Sequence, residues 1–180
     1  MRHALICHPD TPSTVVSAIE VEVARAAAGN LLLHYFITGR AGLLVPAYPS
    51  PATRKRADEL WLHTCFEAFV KPQGGEAYWE FNLAPTWDWQ VYALSSYRTG
   101  RRPAADVTVP TVDARYARDS WDLRVHWELA AAIPNDGPWQ MGVSAVIEDT
   151  SGTISYWALK HAPGKPDFHH ADAFALTVAP

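Results

Sequence analysis

Apolar and polar residues alternate with a period of two along most of the chain, which is the pattern of β-strands with one buried face. The clearest example is WDLRVHWELA, in which one face carries Trp121, Leu123, Val125, Trp127 and Leu129. Segments of the same kind follow one another through the last two thirds of the sequence. The predicted strands are 60–70, 77–84, 87–96, 111–118, 121–131, 139–149, 153–160 and 173–179.

The beginning of the chain contains one predicted hairpin, over about 14–38. The apolar residues of SAIEVEV alternate, which favours a strand over a helix, and the pair GN supplies the turn into LLLHYFITG. The segment 40–59, with three prolines, is predicted to be a long loop. Its basic triplet RKR is interpreted as solvated surface, since runs of like charge usually are.

Short strands separated by turn signals such as KPQGG, PNDGP and DTSG are typical of all-β domains. A chain of 180 residues is long enough for one domain with a sizeable core. The sequence therefore predicts a single domain over 1–180. Its expected fold is an antiparallel β-sandwich of two sheets, jelly-roll or immunoglobulin-like, with about 9–11 strands.

Composition and charge exclude several classes of partner. Hydrophobic residues make up 48% and charged residues 19%, as in ordinary globular proteins. The net charge is −4, so neither nucleic acid nor an anionic membrane is an expected partner. The sequence shows no signal peptide or membrane span, and Cys7 and Cys65 are expected to be free thiols. These features predict a cytoplasmic location.

A candidate binding face lies on the first two strands after the loop. In each of the predicted strands 60–70 and 77–84, one set of alternating residues is apolar and is predicted to face the core. The other set of alternating residues is rich in polar and aromatic groups. The linker between the two strands is short, so they are expected to be neighbours in the sheet. The candidate residues of this second set are Trp61, His63, Glu67, Tyr78, Glu80 and Asn82. A ring beside carboxylates and an amide suits a sugar, which stacks on the ring and hydrogen-bonds through its hydroxyls. The alternative is the ordinary polar outer face of an antiparallel sheet.

The segment YWALKHAPGKPDFHH interrupts the strands near the end of the chain. Its donors His161, Asp167, His169 and His170 are of the types that hold divalent ions. Adjacent histidines point in different directions on an extended chain, and the spacing matches no known metal motif. We therefore predict no metal site and favour hydrogen bonds of Asp167 and His169 within their own loop.

The runs LWLHTCFEAFVKP and YWEFNLAPTWDWQVY, with the closing PDFHHADAFALTV, resemble DOMON-like proteins related to family-nine carbohydrate-binding modules. The resemblance covers the chain from about position 58 onward and is to a bacterial subgroup of short, stand-alone proteins. It implies an antiparallel sandwich in which two aromatic rings clamp the end of a saccharide. Trp61 and Glu67 have the family's spacing of a stacking ring and a hydroxyl-binding carboxylate.

The second aromatic clamp of the family comes from the loop before the last strand, which corresponds to APGKPDFHH. The family's tryptophan is absent from this loop, so the resemblance assigns its role to Phe168 or His169. Some DOMON relatives bind haem through a methionine and a histidine. Met141 lies in phase with apolar neighbours and is predicted to be core, so no haem is expected.

The function predicted from the sequence is non-catalytic binding of a small polar ligand, namely a saccharide or a sugar-containing metabolite. The predicted ligand-binding residues are Trp61, His63, Glu67, Glu80, Asn82, Arg98, His161, Phe168 and His169. The guanidinium of Arg98 suits anionic or hydroxylated groups, with a surface salt bridge as the alternative. Other functions left open are a protein-interaction domain, a glycosidase using Glu67 and Glu80, and a metal-dependent enzyme.

Overall fold

The computed structural model describes residues 1–26, 29–39, 50–129 and 132–180. Within these ranges the protein is all-β, and every pairing between its strands is antiparallel. The strands are β1 (Arg2–Cys7), β2 (Ala18–Arg25), β3 (Leu31–Thr38), β4 (Cys65–Pro72), β5 (Tyr78–Leu83), β6 (Trp89–Leu94), β7 (Arg102–Pro103), β8 (Thr111–Tyr116), β9 (Ser120–Trp127), β10 (Trp139–Glu148), β11 (Ile154–Ala158) and β12 (Leu176–Val178).

The strands form one continuous curled sheet in the order β7-β6-β5-β4-β10-β11-β1-β2-β3-β9-β8, with β12 paired to the start of β10. Strand β1 makes the sheet continuous, because its first residues pair with β2 and its last two pair with β11. The antiparallel all-β prediction is confirmed. The predicted division into two separate sheets is not confirmed, and the described strands number 12 in place of 9–11.

The two halves of the curled sheet face each other across an apolar core. Phe81 of β5 and Trp127 of β9 have ring centroids 5.1 Å apart, and Phe66 of β4 lies 5.0 Å from Trp121. The hydroxyl of Tyr35 crosses this core from β3 and donates a hydrogen bond to the Glu67 carbonyl at 3.0 Å. Both the apolar face predicted on β9 and Met141 of β10 are buried, as the alternation indicated.

A second, smaller apolar cluster covers the opposite face of β4, β5 and β6. Its buried members are Phe69, Tyr78, Tyr92 and Leu94, and three further rings pack on it, namely Trp61, Phe168 and Phe174. The face that the sequence predicted to be polar is therefore largely covered by the segments before β4 and before β12. This covering layer is what creates a cavity above the polar residues of the sheet.

Several predicted boundaries are wrong in detail. The strand predicted over 60–70 begins only at Cys65, because Leu60–Leu62 forms a 3-10 turn. The strand predicted over 173–179 is shortened to Leu176–Val178 by a second 3-10 turn, Ala171–Ala173. Strands β1 and β7 were not predicted. The predicted loop 40–59 lies partly outside the described residues, as do the last two residues of 121–131.

The basic triplet of that loop is not simply solvated. Arg56 donates hydrogen bonds to the Gln90 side chain at 2.7 Å and to the Ala104 carbonyl at 3.0 Å. Its guanidinium also lies 4.1 Å from the Trp89 ring centroid. These contacts fasten the segment before β4 to the edge of the sheet, which helps to place the turn that carries Trp61.

The helical elements named in the described ranges are the two three-residue turns. None of them has the length or the apolar run that a membrane-spanning helix requires. Cys7 and Cys65 are both free thiols, and Cys65 is fully buried.

Candidate functional site

A cavity of about 270 Å³ opens on the outer face of β4, β5, β10 and β11. Six of the nine residues predicted to bind ligand line it: Trp61, Glu67, Glu80, Arg98, Phe168 and His169. These six residues are distant in sequence. They come from the turn before β4, from β4 and β5, from the turn after β6 and from the loop before β12. The cavity is thus formed only in the folded protein.

Two aromatic side chains stand on different sides of this cavity. Trp61 packs edge-on against Tyr92 of β6, with ring centroids 6.0 Å apart. Phe168 packs against Tyr156 of β11 at 6.1 Å. Because β5, β4 and β10 lie between β6 and β11 in the sheet, the carboxyl groups of β4 and β5 lie between the two rings.

Arg101 lies over the first of these rings. Its guanidinium carbon is 5.0 Å from the centroid of Trp61 and 4.9 Å from that of Tyr92. A cation over the face of an aromatic ring attracts it electrostatically, by about 0.5–1 kcal/mol at an exposed site. Arg101 therefore helps to hold the Trp61 indole at the edge of the cavity while lining the cavity itself.

Glu67 and Glu80 form the polar floor. Glu67 is 3% exposed, and its Oε2 accepts a hydrogen bond from Ser144 Oγ at 3.2 Å. Burial raises the pKa of Glu67 well above its ordinary value, and the nearby Glu80 carboxyl raises it further. Burial also raises the pKa of Glu80, although Asn82, Arg101 and Arg98 counteract this effect.

One oxygen of Glu80 is left without a partner. Its Oε1 accepts a hydrogen bond from Asn82 Nδ2 at 2.9 Å. Its Oε2 is buried and has no hydrogen-bond partner in the described part of the chain. A buried polar atom without a partner typically costs about 1–3 kcal/mol. This oxygen faces His169, whose Nε2 is 3.8 Å away, too far for a direct hydrogen bond.

His169 is held by Tyr78 of β5. Its Nδ1 lies 2.7 Å from the hydroxyl of Tyr78, and that hydroxyl also accepts a hydrogen bond from the backbone N–H of Arg98 at 3.1 Å. Burial and the positive charge of Arg98 lower the pKa of His169 to about 4, so the imidazole is neutral at neutral pH. The ring also packs edge-on against Phe69 at 5.1 Å.

Asp167 joins the turn after β6 to the loop before β12. It accepts hydrogen bonds from Tyr97 Oη at 2.6 Å, from Arg98 Nη2 at 2.7 Å and from the backbone N–H of His169 at 3.1 Å. Arg98 has a φ of +52°, a left-handed conformation that costs a non-glycine residue free energy. The salt-bridge alternative for Arg98 is thus present, and Arg98 lines the cavity as well.

The far end of the loop is anchored independently. His8 Nε2 lies 2.9 Å from the carbonyl of Gly164, and His161 Nε2 lies 2.7 Å from the carbonyl of Ile6. On the other side, a Cβ atom on Gly142 of β10 would come within 3.0 Å of the Ala173 carbonyl, so the glycine permits the close approach of the second 3-10 turn. Contacts at both ends therefore fix the position of Phe168 and His169.

Three predicted site residues do not line the cavity. His63 is exposed, and its Nδ1 lies 2.7 Å from Glu148 Oε2. His161 is bound to the backbone of β1, as described above. Asn82 is fully buried beneath the floor, where it orients Glu80. The alternation of residues along a strand over 60–70 predicted that His63 shares a face with Glu67. Because β4 begins only at Cys65, the alternation does not apply to residue 63.

The residues considered as candidate metal ligands in the sequence make hydrogen bonds to other groups of the protein. His161 is paired with the Ile6 carbonyl, Asp167 with Tyr97 and Arg98, and His169 with Tyr78. Over the residues that the structure describes, no group of three or more His, Cys, Asp or Glu side chains is arranged to hold a metal ion.

Sequence reasoning missed several residues of the cavity. Among the residues that line it and were not predicted are Phe69, Arg101, Val146 and Tyr156. Strand parity could have indicated Tyr156, because it alternates with the buried Trp157, but nothing local shows that the hairpin of β10 and β11 lies beside β4.

Comparison with solved structures shows that the fold is shared with carbohydrate-binding proteins. The chain is similar to a "putative carbohydrate-binding protein" from Bacteroides uniformis ATCC 8492, with a TM-score of 0.67, 16% identity, and coverage of 99% of this chain and 85% of that chain. It is also similar to a carbohydrate binding module family 9 (CBM9) from Caldicellulosiruptor kristjanssonii in complex with glucose. There the TM-score is 0.52, the identity 10%, and the coverage 94% of this chain and 78% of that chain.

No protein-family model matches the sequence, and no curated protein matches it. At identities this low, the two solved structures establish a common fold. The resemblance to family-nine modules is thus confirmed for the fold. Its DOMON-like part stays a prediction.

Proposed function

We propose that this protein is a non-catalytic binding protein for a small saccharide, held in the cavity between Trp61 and Phe168. The observation that carries the proposal is the buried Oε2 of Glu80, a residue that lines the same cavity as these rings; among the described residues this oxygen has no hydrogen-bond partner. A sugar hydroxyl would supply the missing donor. The rings on either side would stack on, or enclose, the apolar faces of the sugar.

The size and charge of the cavity support a small, hydroxyl-rich ligand. Its volume of about 270 Å³ lies just below the usual range for small-molecule sites, roughly 300–1,000 Å³. Its polar groups are two carboxyls, two guanidiniums and an imidazole, a mixture that can both donate to and accept from hydroxyl groups. The similarity to a family-nine module determined in complex with glucose makes glucose the natural first ligand to test.

A second candidate function is glycoside hydrolysis. Its supporting observation is that Glu67 and Glu80 line one cavity and both have raised pKa values, as the acid of a carboxylate pair requires. Glu67, however, also accepts a hydrogen bond from Ser144 beneath the floor, which suits a structural or binding role. Turnover of aryl glycosides that is lost in Glu80→Gln would favour hydrolysis.

Binding is tested by calorimetric titration of the wild-type protein with a panel of neutral monosaccharides and disaccharides, beginning with glucose. Trp61→Ala is expected to weaken the affinity at least about tenfold, since loss of a stacking ring removes about 1.4 kcal/mol or more. Its Tm is expected to stay within a few degrees of the wild-type value, because Trp61 is only half-buried.

Phe36→Ala is the matched control. Phe36 is a half-buried ring on β3 beneath the guanidinium of Arg2, at 3.4 Å, and it does not line the cavity. It is expected to leave the affinity unchanged. The proposal would be abandoned if no saccharide of the panel bound, or if Trp61→Ala bound as tightly as the wild type. A large stability loss in Trp61→Ala would assign the indole to the apolar cluster instead.

A further inference from the structure

We infer that His169 Nε2 and Glu80 Oε2 together form a recognition site for one ligand hydroxyl, which accepts a hydrogen bond from the imidazole and donates one to the carboxylate. The inference rests on the proposed function and makes it more specific. It identifies the ligand as one with a free hydroxyl at a defined position, as opposed to a deoxy or O-alkylated derivative.

The hydrogen-bond donors of the network determine which imidazole nitrogen carries the proton. The backbone N–H of Arg98 can only donate, so the oxygen of Tyr78 accepts from it at 3.1 Å. The Tyr78 hydroxyl proton then needs an acceptor, and the one that the described residues offer is His169 Nδ1, which lies 2.7 Å away. In a neutral imidazole the remaining proton must be on Nε2. Tyr78 thus acts as a positioning residue for the histidine.

The proton on Nε2 lies on the side of the ring that faces Glu80, whose carboxyl supplies the complementary acceptor. Glu80 Oε2 is 3.8 Å from Nε2, and it is buried without a partner in the described residues. The other oxygen of the same carboxyl is fixed by Asn82 Nδ2 at 2.9 Å, so the free oxygen cannot turn away without losing that bond. A hydroxyl oxygen placed beside both atoms would be within ordinary hydrogen-bond distance, about 2.8–3.0 Å, of each.

Such an arrangement discriminates strongly against ligands that lack the hydroxyl. A deoxy derivative would leave a buried donor and a buried acceptor unpaired, whereas the correct ligand satisfies both. A group that only accepts, such as an ether oxygen, would satisfy the imidazole and leave Glu80 unpaired. The pair therefore selects for a hydroxyl and not merely for polarity.

The first part of the test is spectroscopic and needs no ligand. Long-range proton–nitrogen correlation spectra of protein labelled with ¹⁵N-histidine report which ring nitrogen is protonated, and His169→Gln assigns the signal. The wild-type protein at pH 7 is expected to show a single Nε2–H tautomer for His169. Tyr78→Phe is expected to give a mixture of tautomers, because Nδ1 loses its donor.

Tyr97→Phe is the matched control for the tautomer. It removes a hydroxyl from the turn after β6, next to Arg98, but this hydroxyl donates to Asp167 and not to the imidazole. It is expected to leave the Nε2–H tautomer in place. A wild-type spectrum with the proton on Nδ1, or with a charged imidazole at pH 7, would overturn the inference.

The second part measures the affinity of glucose, or of whichever sugar of the panel binds most tightly, and of its monodeoxy derivatives. One derivative is expected to bind the wild type at least about tenfold more weakly than the parent sugar. In His169→Phe, which keeps a ring against Phe69 but removes the donor, that difference is expected to shrink by at least about threefold, and the part that is left comes from Glu80 Oε2. Equal affinities for all derivatives, or a difference of the same size in the variant as in the wild type, would overturn the inference alone. Absence of any saccharide binding would overturn the proposed function, and this inference with it.

Discussion

Replacing His169 with glutamine should change how the stability of the protein depends on pH. Glutamine keeps a donor and an acceptor at the cavity wall but cannot take up a proton. In the folded protein, burial lowers the pKa of His169 from its ordinary 6.5 to about 4. Between these two values the unfolded chain binds more protons than the folded protein, so acidification favours unfolding. The stabilisation is complete above pH 6.5 and is lost as the pH falls through the folded-state pKa.

The size of this effect follows from the difference between the two pKa values. A pKa difference of one corresponds to about 1.4 kcal/mol, so a fall from 6.5 to about 4 corresponds to about 3 kcal/mol. The His169 side chain is only 14% exposed, so solvent screening reduces this figure little. The free energy of unfolding of the wild type should therefore fall by about 3 kcal/mol more than that of His169→Gln between pH 7.5 and pH 4.

Urea unfolding at a series of pH values measures this difference directly. Glu67 and Glu80 contribute to both profiles, so they largely cancel in the comparison. His63→Gln is the comparison variant, because it makes the same substitution at an exposed histidine outside the cavity. Parallel profiles for wild type and His169→Gln would show that the imidazole is solvated, and the description of the cavity wall would be wrong.

Two further predictions concern the floor of the site and its link to the core. Burial raises the pKa of Glu67 above its ordinary 4.5, so its favourable contribution is present below that pH and is lost as the pH rises through the folded-state pKa. Glu67→Gln should therefore raise the Tm at pH 8 more than at pH 4. A variant with a lower Tm than the wild type at pH 8 would contradict the raised pKa of Glu67. Tyr35→Phe removes the hydroxyl that bonds the Glu67 carbonyl and should lower the free energy of unfolding by about 1 kcal/mol, measured in urea. No loss would show that this bond contributes nothing across the core.

The fold class could be predicted because the alternation of apolar residues is a local property. Trp121 and Trp127 show their common face within seven residues, and both are 1% exposed in the core. The same rule identified Glu67 and Glu80 as neighbours, since a short linker forces the two strands to pair. The continuous sheet could not be predicted, because it depends on β1 changing partners between β2 and β11.

The site could be predicted only in part, for a related reason. Trp61 was expected to share a strand with Glu67, but it reaches the same cavity from a 3-10 turn. The resemblance to family-nine modules also selected Trp61, which lines the cavity, whereas strand parity alone also selected His63, which is exposed. Arg101 and Tyr156 join the site through contacts between segments far apart in sequence, and local patterns contain no signal for such contacts.

The most direct test of the central claim is a titration of ¹⁵N-labelled protein with the saccharide panel, followed by proton–nitrogen correlation spectra. The account predicts saturable shifts for the indole N–H of Trp61 and for the side-chain and backbone N–H groups of Arg98, Arg101 and His169. Signals from the Phe36 region on the other half of the sheet should not move. No shift with any saccharide, or shifts confined to residues outside the cavity, would contradict saccharide binding at this site.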